Sequence, residues 1–246
     1  MRFGGAVSQP YRWEATIFIR QRCHNLLTTG SMTRSLNFAA VLGLAFCAAG
    51  LQAQKPAAPP GVKPPPPLSP MASQHVMVVP VQTLRADSGA WVGPGNWEKF
   101  RRELDDSIGS IVSARGVGKA WKYASDVARI AKRNPDYVND PYSMGVQAMR
   151  AVLYKINDPL PQPFVSNLRP LVALGDSRYA LVPIEVYFAR KGDQQIAVIK
   201  LGLADGQGGT IVWLGEVGTD PVAASTLPPN LINTLATRVA DLIIAP

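Results

Sequence analysis

The feature that most constrains this fold is a set of three consecutive strand-like segments in the last third of the chain. They cover residues 178–188, 194–204 and 210–217, and each is rich in β-branched, aromatic and aliphatic residues. Short connections that contain glycine join them, at 190–193 and 205–209. Because turns this short join neighbouring antiparallel strands, the pattern predicts a three-strand meander.

Segments with helical periodicity accompany the meander. Apolar residues recur every three or four positions from Trp97 to Val112 and again from Leu231 to Ile243, as on the buried face of a helix. The other predicted elements are a buried strand, a short strand and three helices, at 75–82, 119–123, 126–132, 140–153 and 166–174. We therefore predict an α+β fold: a mixed, mainly antiparallel sheet with a carboxy-terminal three-strand meander and helices packed on one side.

The amino-terminal region has the layout of a targeting segment. Residues 32–53 have a charged start, an apolar stretch and small residues at the end, as in a secretory signal peptide. Two alternatives stay open: an uncleaved membrane anchor over 36–53, and a lipoprotein acylated at Cys47, although the residue before that cysteine is not small. Residues 1–31 show no coherent apolar period and are predicted to be a mis-assigned upstream extension.

A proline-rich segment follows the targeting segment. Residues 55–70 hold eight of the 22 prolines of the chain. Proline fixes its own backbone and donates no hydrogen bond, so this composition is typical of an extended linker. We predict a linker over 54–73 and a single α+β domain over 74–246.

Charge and composition exclude several chemistries. The chain has a formal net charge of +8, but loss of residues 1–53 removes five arginines and one glutamate and leaves +4. This charge is too small and too dispersed to predict nucleic-acid binding. Both cysteines and one of the two histidines precede residue 48, so we expect no disulfide, metal site or cofactor in the domain. His75, at the start of the first strand, is predicted to be a surface residue.

The acidic residues form no catalytic motif in the sequence. Asp105 and Asp106 are adjacent on a predicted helix and diverge by about 100°, so a solvated face is expected. A carboxylate-based site requires acids from different elements to converge. The candidates for such a site are Glu185, Asp193, Asp205 and Glu216.

One aromatic residue stands out in a predicted loop. Trp91 lies in the Gly-rich segment 88–95, and aromatic residues on loops often contact partners. Trp91 is therefore the candidate partner-contact residue. No catalytic, cofactor-binding or metal-binding residue is predicted.

Two segments resemble a known group of envelope domains. The opening Val-Met-Val-Val-Pro-Val at 76–81, followed by a long amphipathic helix, is similar to the "V-V-x-P-F" start of the curli-secretion/TolB amino-terminal type of periplasmic domain. The stretch 199–215 resembles that group's "L-x-L-x-D-x-x-T-G-x-x-x-W-x-G" hairpin. Val81 replaces the Phe, and Gly208-Gly209 replaces Thr-Gly. The resemblance implies a non-enzymatic periplasmic domain, often oligomeric or bound to partner proteins.

These observations predict an exported, non-catalytic cell-envelope domain, in the periplasm or outer envelope. It is expected to bind an envelope protein partner or to self-associate. Two alternatives remain: a membrane-anchored accessory subunit tethered through 36–53, and an enzyme that uses carboxylates without histidine or cysteine.

Overall fold

The structure is a computed structural model that describes residues 64–86, 97–117, 119–151, 153–223 and 228–245. These residues belong to one unit of the chain, Ala58–Pro246. The predicted upstream extension and signal or anchor lie outside the described residues, as do Trp91 and the first half of the predicted linker, residues 54–63.

A seven-stranded mixed sheet forms the centre of the domain. The strands are β1 (Val76–Val78), β2 (Leu84–Ala86), β3 (Trp121–Lys122), β4 (Tyr179–Lys191), β5 (Gln194–Asp205), β6 (Thr210–Gly218) and β7 (Val222–Ala223). The order is β3-β1-β4-β5-β6, with β2 also paired to β4 and β7 to β5. The pairs β1–β3, β1–β4 and β2–β4 are parallel, and the others are antiparallel. The α+β class, the mixed sheet and the β4–β5–β6 meander are confirmed.

Helices cover both faces of the sheet, whereas the sequence predicts them on one side. The helices are α1 (Trp97–Ala114), α2 (Ala124–Arg133), α3 (Gln147–Ala151), α4 (Phe164–Leu174) and α5 (Pro228–Asp241). One apolar core lies between the sheet and α1 with α5, and a second lies between the opposite face and α2 with α4. On β4, Leu181 enters the first core and Val182 the second. This part of β4 is an unbroken apolar run, which is typical of a strand buried on both faces. The second helix layer buries the second of these faces.

Pro80 divides the predicted first strand. β1 ends at Val78, although Val79 N still donates to Leu181 O at 2.9 Å. The chain resumes pairing with β4 as β2, which the sequence does not predict. Between the two pairings, the β4–β5 ladder has a bulge between Pro183 and Glu185. β1 and β2 thus follow the same edge of β4 in two steps.

The helix predicted over 140–153 is much shorter, since α3 begins only at Gln147. Asp140 Oδ1 accepts a hydrogen bond from Tyr142 N at 3.0 Å, which forms a local turn instead of a helix cap. Gly145 then adopts a φ of +84°. Local side-chain and backbone geometry therefore holds this segment as a loop.

The domain begins before the predicted boundary at residue 74. Leu68 is only 2% exposed, and its N–H donates to Leu242 O at 2.8 Å. A short 3₁₀ helix, Ser69–Met71, follows it. The end of the proline-rich segment is thus packed against the core beneath α1 and α5. Among the described residues, no helix combines the length and the apolar character that a membrane crossing requires.

Candidate functional site

One half of the sheet carries no helix layer on one face, as far as the described residues show. Val186, Phe188 and the facing residues of β5 are buried in the core beneath α1 and α5. Successive strand residues point to opposite faces, so their neighbours Tyr187, Ile196 and Val198 lie on the other face, where each is only half-buried. We call this surface the open face; it comprises Arg85, Tyr187, Ala189, Ile196, Val198, Lys200 and Glu216.

The second helix layer ends where the open face begins. On β4, the core beneath α2 and α4 contains Ala180, Val182 and Ile184. The bulge between Pro183 and Glu185 then adds one residue to β4 and reverses the alternation. As a result Val186 joins the α1 and α5 core, while Glu185 and Tyr187 turn to the open face.

Glu185 forms a buried ion pair at the border of the open face, next to the bulge in β4. The residue is 7% exposed, and its Oε1 accepts hydrogen bonds from Arg150 Nε and Nη2, at 3.0 and 2.6 Å. Arg85 Nε lies 3.3 Å from the same oxygen. Two arginines therefore compensate the buried charge, which is the condition for burying a carboxylate without a large penalty.

Charges of alternating sign continue across the meander. Lys200 on β5 pairs with Glu185 on one side and with Glu216 on the other. Together with Arg85, they form a row that reads positive, negative, positive, negative from β2 to β6. Burial raises the pKa of Tyr187, and the negative charge of Glu216 adds to this effect. The row ends at Glu216 on the outer strand.

The structure brings two of the four candidate acids to one face. Glu185 and Glu216 flank Lys200 on the open face, as the ladder registers show. Asp193 lies in the exposed β4–β5 turn and Asp205 at the opposite end of β5. The four carboxylates therefore do not converge, and Glu185 is occupied by two arginines.

Asp205 organises the predicted β5–β6 hairpin. Its Oδ1 accepts from Gln207 N and Gly208 N at 3.0 and 2.8 Å, and its Oδ2 accepts from Arg178 Nη2 at 2.9 Å. Burial acts to raise the pKa of Asp205, but the hydrogen bonds and the Arg178 charge outweigh it and lower that pKa. Gly209 completes the turn with a φ of +69°. This carboxylate has a structural role.

Asp105 differs from the sequence prediction of a solvated carboxylate. Asp106 is exposed, but Asp105 is 4% exposed, and its Oδ1 accepts from Val81 N at 2.9 Å. Its Oδ2 and the nearby Arg101 Nε are the buried side-chain atoms without a hydrogen-bond partner in the described part of the chain. Burial raises the pKa of Asp105 to about 7, against the opposing effects of Val81 N and Arg101.

The remaining residues singled out in the sequence are His75 and Trp91. His75 is exposed, as predicted, and its Nδ1 lies 3.0 Å from Asp176 O. Within the described ranges, no group of three or more histidine, cysteine or acidic residues is placed to hold a metal. Trp91 lies outside the described residues and remains a prediction.

Exposed apolar side chains lie beside the outer strand. Leu153 is 94% exposed and Ile156 60% exposed. The segment that carries them hydrogen-bonds to the start of β6, with Asn157 N donating to Ile211 O at 2.7 Å and Ile211 N donating to Asp158 O at 2.9 Å. This apolar pair therefore adjoins the edge of the sheet.

Comparison with known proteins identifies only distant structural similarity. Neither a protein-family model nor a curated protein matches the chain. A PelC dodecamer from Paraburkholderia phytofirmans is 11% identical, with a TM-score of 0.35, and the match covers 71% of this chain and 91% of that one. E. coli LpoB is 12% identical, with a TM-score of 0.35, and the match covers 87% of this chain and 96% of that one. Lipoprotein GNA1162 from Neisseria meningitidis is 15% identical, with a TM-score of 0.37, and the match covers 68% of this chain and 94% of that one.

Of these neighbours, GNA1162 is a lipoprotein and PelC is a dodecamer. Because all TM-scores are below 0.5, the likeness carries no argument about what this chain binds or does. The resemblance to the curli-secretion/TolB amino-terminal type therefore remains a prediction.

Glu185 and Glu216 are candidates from the sequence, whereas Tyr187, Lys200, Arg85 and Arg150 are not. Alternation along β5 is a signal that was available, because Lys200 follows Ile196 and Val198 at a spacing of two. The bulge in β4 has no comparable signal. It determines which face Tyr187 occupies, and only the pairing with β5 reveals it.

Proposed function

We propose that this chain is an exported, non-catalytic domain of the cell envelope that binds a protein partner through the open face. The observation that carries the proposal is the uncovered half-sheet, where Tyr187, Ile196 and Val198 are half-buried without a helix of the described chain above them. Apolar surface of this kind on a sheet is favourably buried by a second protein.

The composition of the open face supports a protein rather than a small ligand as the partner. It is a strand surface, with an aromatic residue and two β-branched residues at its centre and charged residues at its border. Protein interfaces commonly have such an apolar centre and polar rim. Export is supported by the signal-like sequence at 32–53, and the alternatives of a retained anchor or an acylated Cys47 follow from the same segment.

Site-specific photo-crosslinking in cells that produce the protein tests this proposal. A photoreactive amino acid replaces Val198 or Tyr187 on the open face, and a matched control replaces the exposed Arg133 on α2. We expect one protein adduct of defined mass from both open-face positions and none from the control. Absence of an adduct at Val198 and Tyr187, or equal labelling at Arg133, would contradict the proposal.

Intact-mass measurement of the same purified protein tests export and anchoring. A mature chain that begins near residue 50 or 54 is expected for a cleaved signal peptide. A mass that retains 32–53 would instead favour the membrane-anchored subunit, and added acyl mass at Cys47 would favour a lipoprotein.

A further inference from the structure

The outer strand β6 offers an unpaired edge along part of its length. No strand of the described sheet lies beyond β6. Among the described residues, its outer side is covered only at the beginning, where Asn157 and Asp158 hydrogen-bond to Ile211 and Pro159 bridges to Thr210. The part from Leu214 to Gly218 has β5 on its inner side and no described strand on its outer side.

The ladder register identifies which backbone groups point outward. Thr219 N donates to Ala197 O at 2.9 Å, and Ala197 N donates to Thr219 Oγ1 at 3.1 Å, so the backbone at Thr219 faces β5. Residues of an antiparallel strand alternate between facing the partner and facing away. The N–H and C=O groups of Gly218, Glu216 and Leu214 therefore point away from the sheet.

The start of β6 agrees with this register. Ile211 also directs its N–H and C=O outward, toward Asp158 and Asn157. Ile211 and Leu214 differ by an odd number, and the bulge in the β5–β6 ladder between Leu203 and Ala204 supplies the extra residue that restores the alternation. The outward groups thus form a continuous edge that the 157–159 segment occupies only at one end.

The row of charges indicates what an added strand should carry. It alternates in sign from Arg85 through Glu185 and Lys200 to Glu216, and Glu216 is exposed at its end. Directly opposed cross-strand residues of opposite charge stabilise a sheet, and like charges destabilise it. The position opposite Glu216 therefore favours lysine or arginine.

We propose that the edge Leu214–Gly218 binds an extended segment of a partner protein that carries a lysine or arginine opposite Glu216. This inference rests on the proposed function. The segment adds a strand to the sheet by backbone hydrogen bonds. An apolar residue two positions from its basic residue faces Leu214, and Leu153 and Ile156 are available to contact its end.

A second copy of this chain fits the edge less well. Residues 210–218 contain no lysine or arginine. Pairing of β6 with β6, in any register, therefore places no cation opposite Glu216. One register places Glu216 against Glu216, which is unfavourable.

Amide exchange of the full-length protein, measured by NMR with synthetic peptides, tests the inference. The probe is acetyl-Thr-Val-Thr-Lys-Thr-Val-Thr-amide, and its matched control has Glu in place of Lys. We expect the Lys peptide to slow exchange of the outward Leu214, Glu216 and Gly218 amides and to bind about tenfold more tightly than the Glu peptide. The Val217 amide, which faces β5, should be unchanged.

Variants complete the test. Glu216→Lys should invert the preference between the two peptides, whereas the same charge change at the exposed Glu103 on α1 should not. No protection at these three amides, protection elsewhere, or a preference unaffected by Glu216→Lys would overturn the inference. So would dimerisation through β6 in analytical ultracentrifugation, which would assign the edge to a second copy.

The two proposals fail in distinguishable ways. If Val198 still yields its adduct but neither the peptide nor Glu216→Lys has an effect, the open face binds a partner and the strand-addition inference alone is wrong. If the peptide protects the edge but Val198 and Tyr187 yield no adduct, the open-face proposal is wrong and the edge stands as a strand-binding site.

Discussion

At the scale of single residues, two buried carboxylates show how burial is compensated differently in one domain. Glu185 is enclosed by Arg150 and Arg85, so its charge has direct partners. Asp105 has a backbone donor on one oxygen and no hydrogen-bond partner on the other. A carboxyl in the second situation favours the protonated form, because burial penalises its charge.

The raised pKa of Asp105 predicts a pH-dependent stability. The unfolded carboxyl loses its proton near its ordinary value of 3.8, while the folded one keeps it up to about pH 7. The folded state therefore binds more protons between these values, and the free energy of unfolding falls as pH rises from about 4 to about 7. Asp105→Asn removes this dependence and retains an oxygen for Val81 N.

We expect Asp105→Asn to raise the free energy of unfolding at pH 8 by on the order of 2–4 kcal/mol, and by much less at pH 5. Urea denaturation at the two pH values measures both quantities. Asp106→Asn, the exposed neighbour, serves as the control and should change neither. An unchanged pH profile in Asp105→Asn would show that this carboxyl is ionised in the folded protein.

The Arg150–Glu185 pair predicts a large loss of stability when one partner is removed. Arg150→Met leaves Glu185 buried with only the more exposed Arg85, and should lower the free energy of unfolding by about 3 kcal/mol. Arg129→Met removes an exposed ion pair with Asp126 and should cost less than about 1 kcal/mol. Equal effects of the two variants in thermal denaturation would contradict this difference.

At the scale of elements, the loop before α3 is held by a side chain from a different part of the chain. Gln82 Nε2 donates to Pro80 O and Pro141 O at 2.8 and 2.7 Å. Its Oε1 accepts from Met144 N at 2.9 Å. The amide group thereby satisfies Pro141 O and Met144 N, two backbone groups that a helix would otherwise pair. The sequence predicts a helix here because Asp140-Pro141 resembles a helix start. The local turn at Asp140 and the long-range contacts of Gln82 together hold the segment as a loop.

Removal of this amide should loosen the loop. Gln82→Ala leaves three backbone groups without these partners, so we expect a loss of about 1–3 kcal/mol in the free energy of unfolding. Hydrogen exchange at the Met144 amide should accelerate. Gln74→Ala, an exposed glutamine in the preceding turn, is the control. Slow exchange at Met144 in Gln82→Ala would show that other contacts hold the loop.

At the scale of the whole molecule, the domain includes the end of the proline-rich segment. Leu68 joins the core formed with α1 and α5, although composition alone assigns it to a linker. Proline-rich composition describes the backbone preference of a segment and does not reveal whether one leucine within it finds an apolar site. The domain therefore begins before residue 74, the boundary that the composition predicts.

Two leucine substitutions test this extension. Leu68→Ala should lower the free energy of unfolding by about 2–4 kcal/mol, because it removes a fully buried side chain. Leu153→Ala, at a side chain that is 94% exposed, should change it by less than about 0.5 kcal/mol. Thermal and denaturant unfolding measure both variants. Equal stability of Leu68→Ala and the parent protein would place the domain boundary after Leu68.

Sequence patterns alone predict the α+β class, the three meander strands and helices α1 and α5. These depend on periodicity and turn chemistry within short segments, which the order of residues records directly. Composition also marks the proline-rich segment, but its end, at Leu68, belongs to the domain core.

Long-range contacts set how the helices divide between the two faces of the sheet and which side chains meet on the open face. The bulge in β4 transfers Glu185 and Tyr187 to the face of Lys200 and Glu216. A one-residue change in register moves every following side chain to the opposite face. Register depends on pairing between strands and on the bulges within it, and local sequence does not specify either.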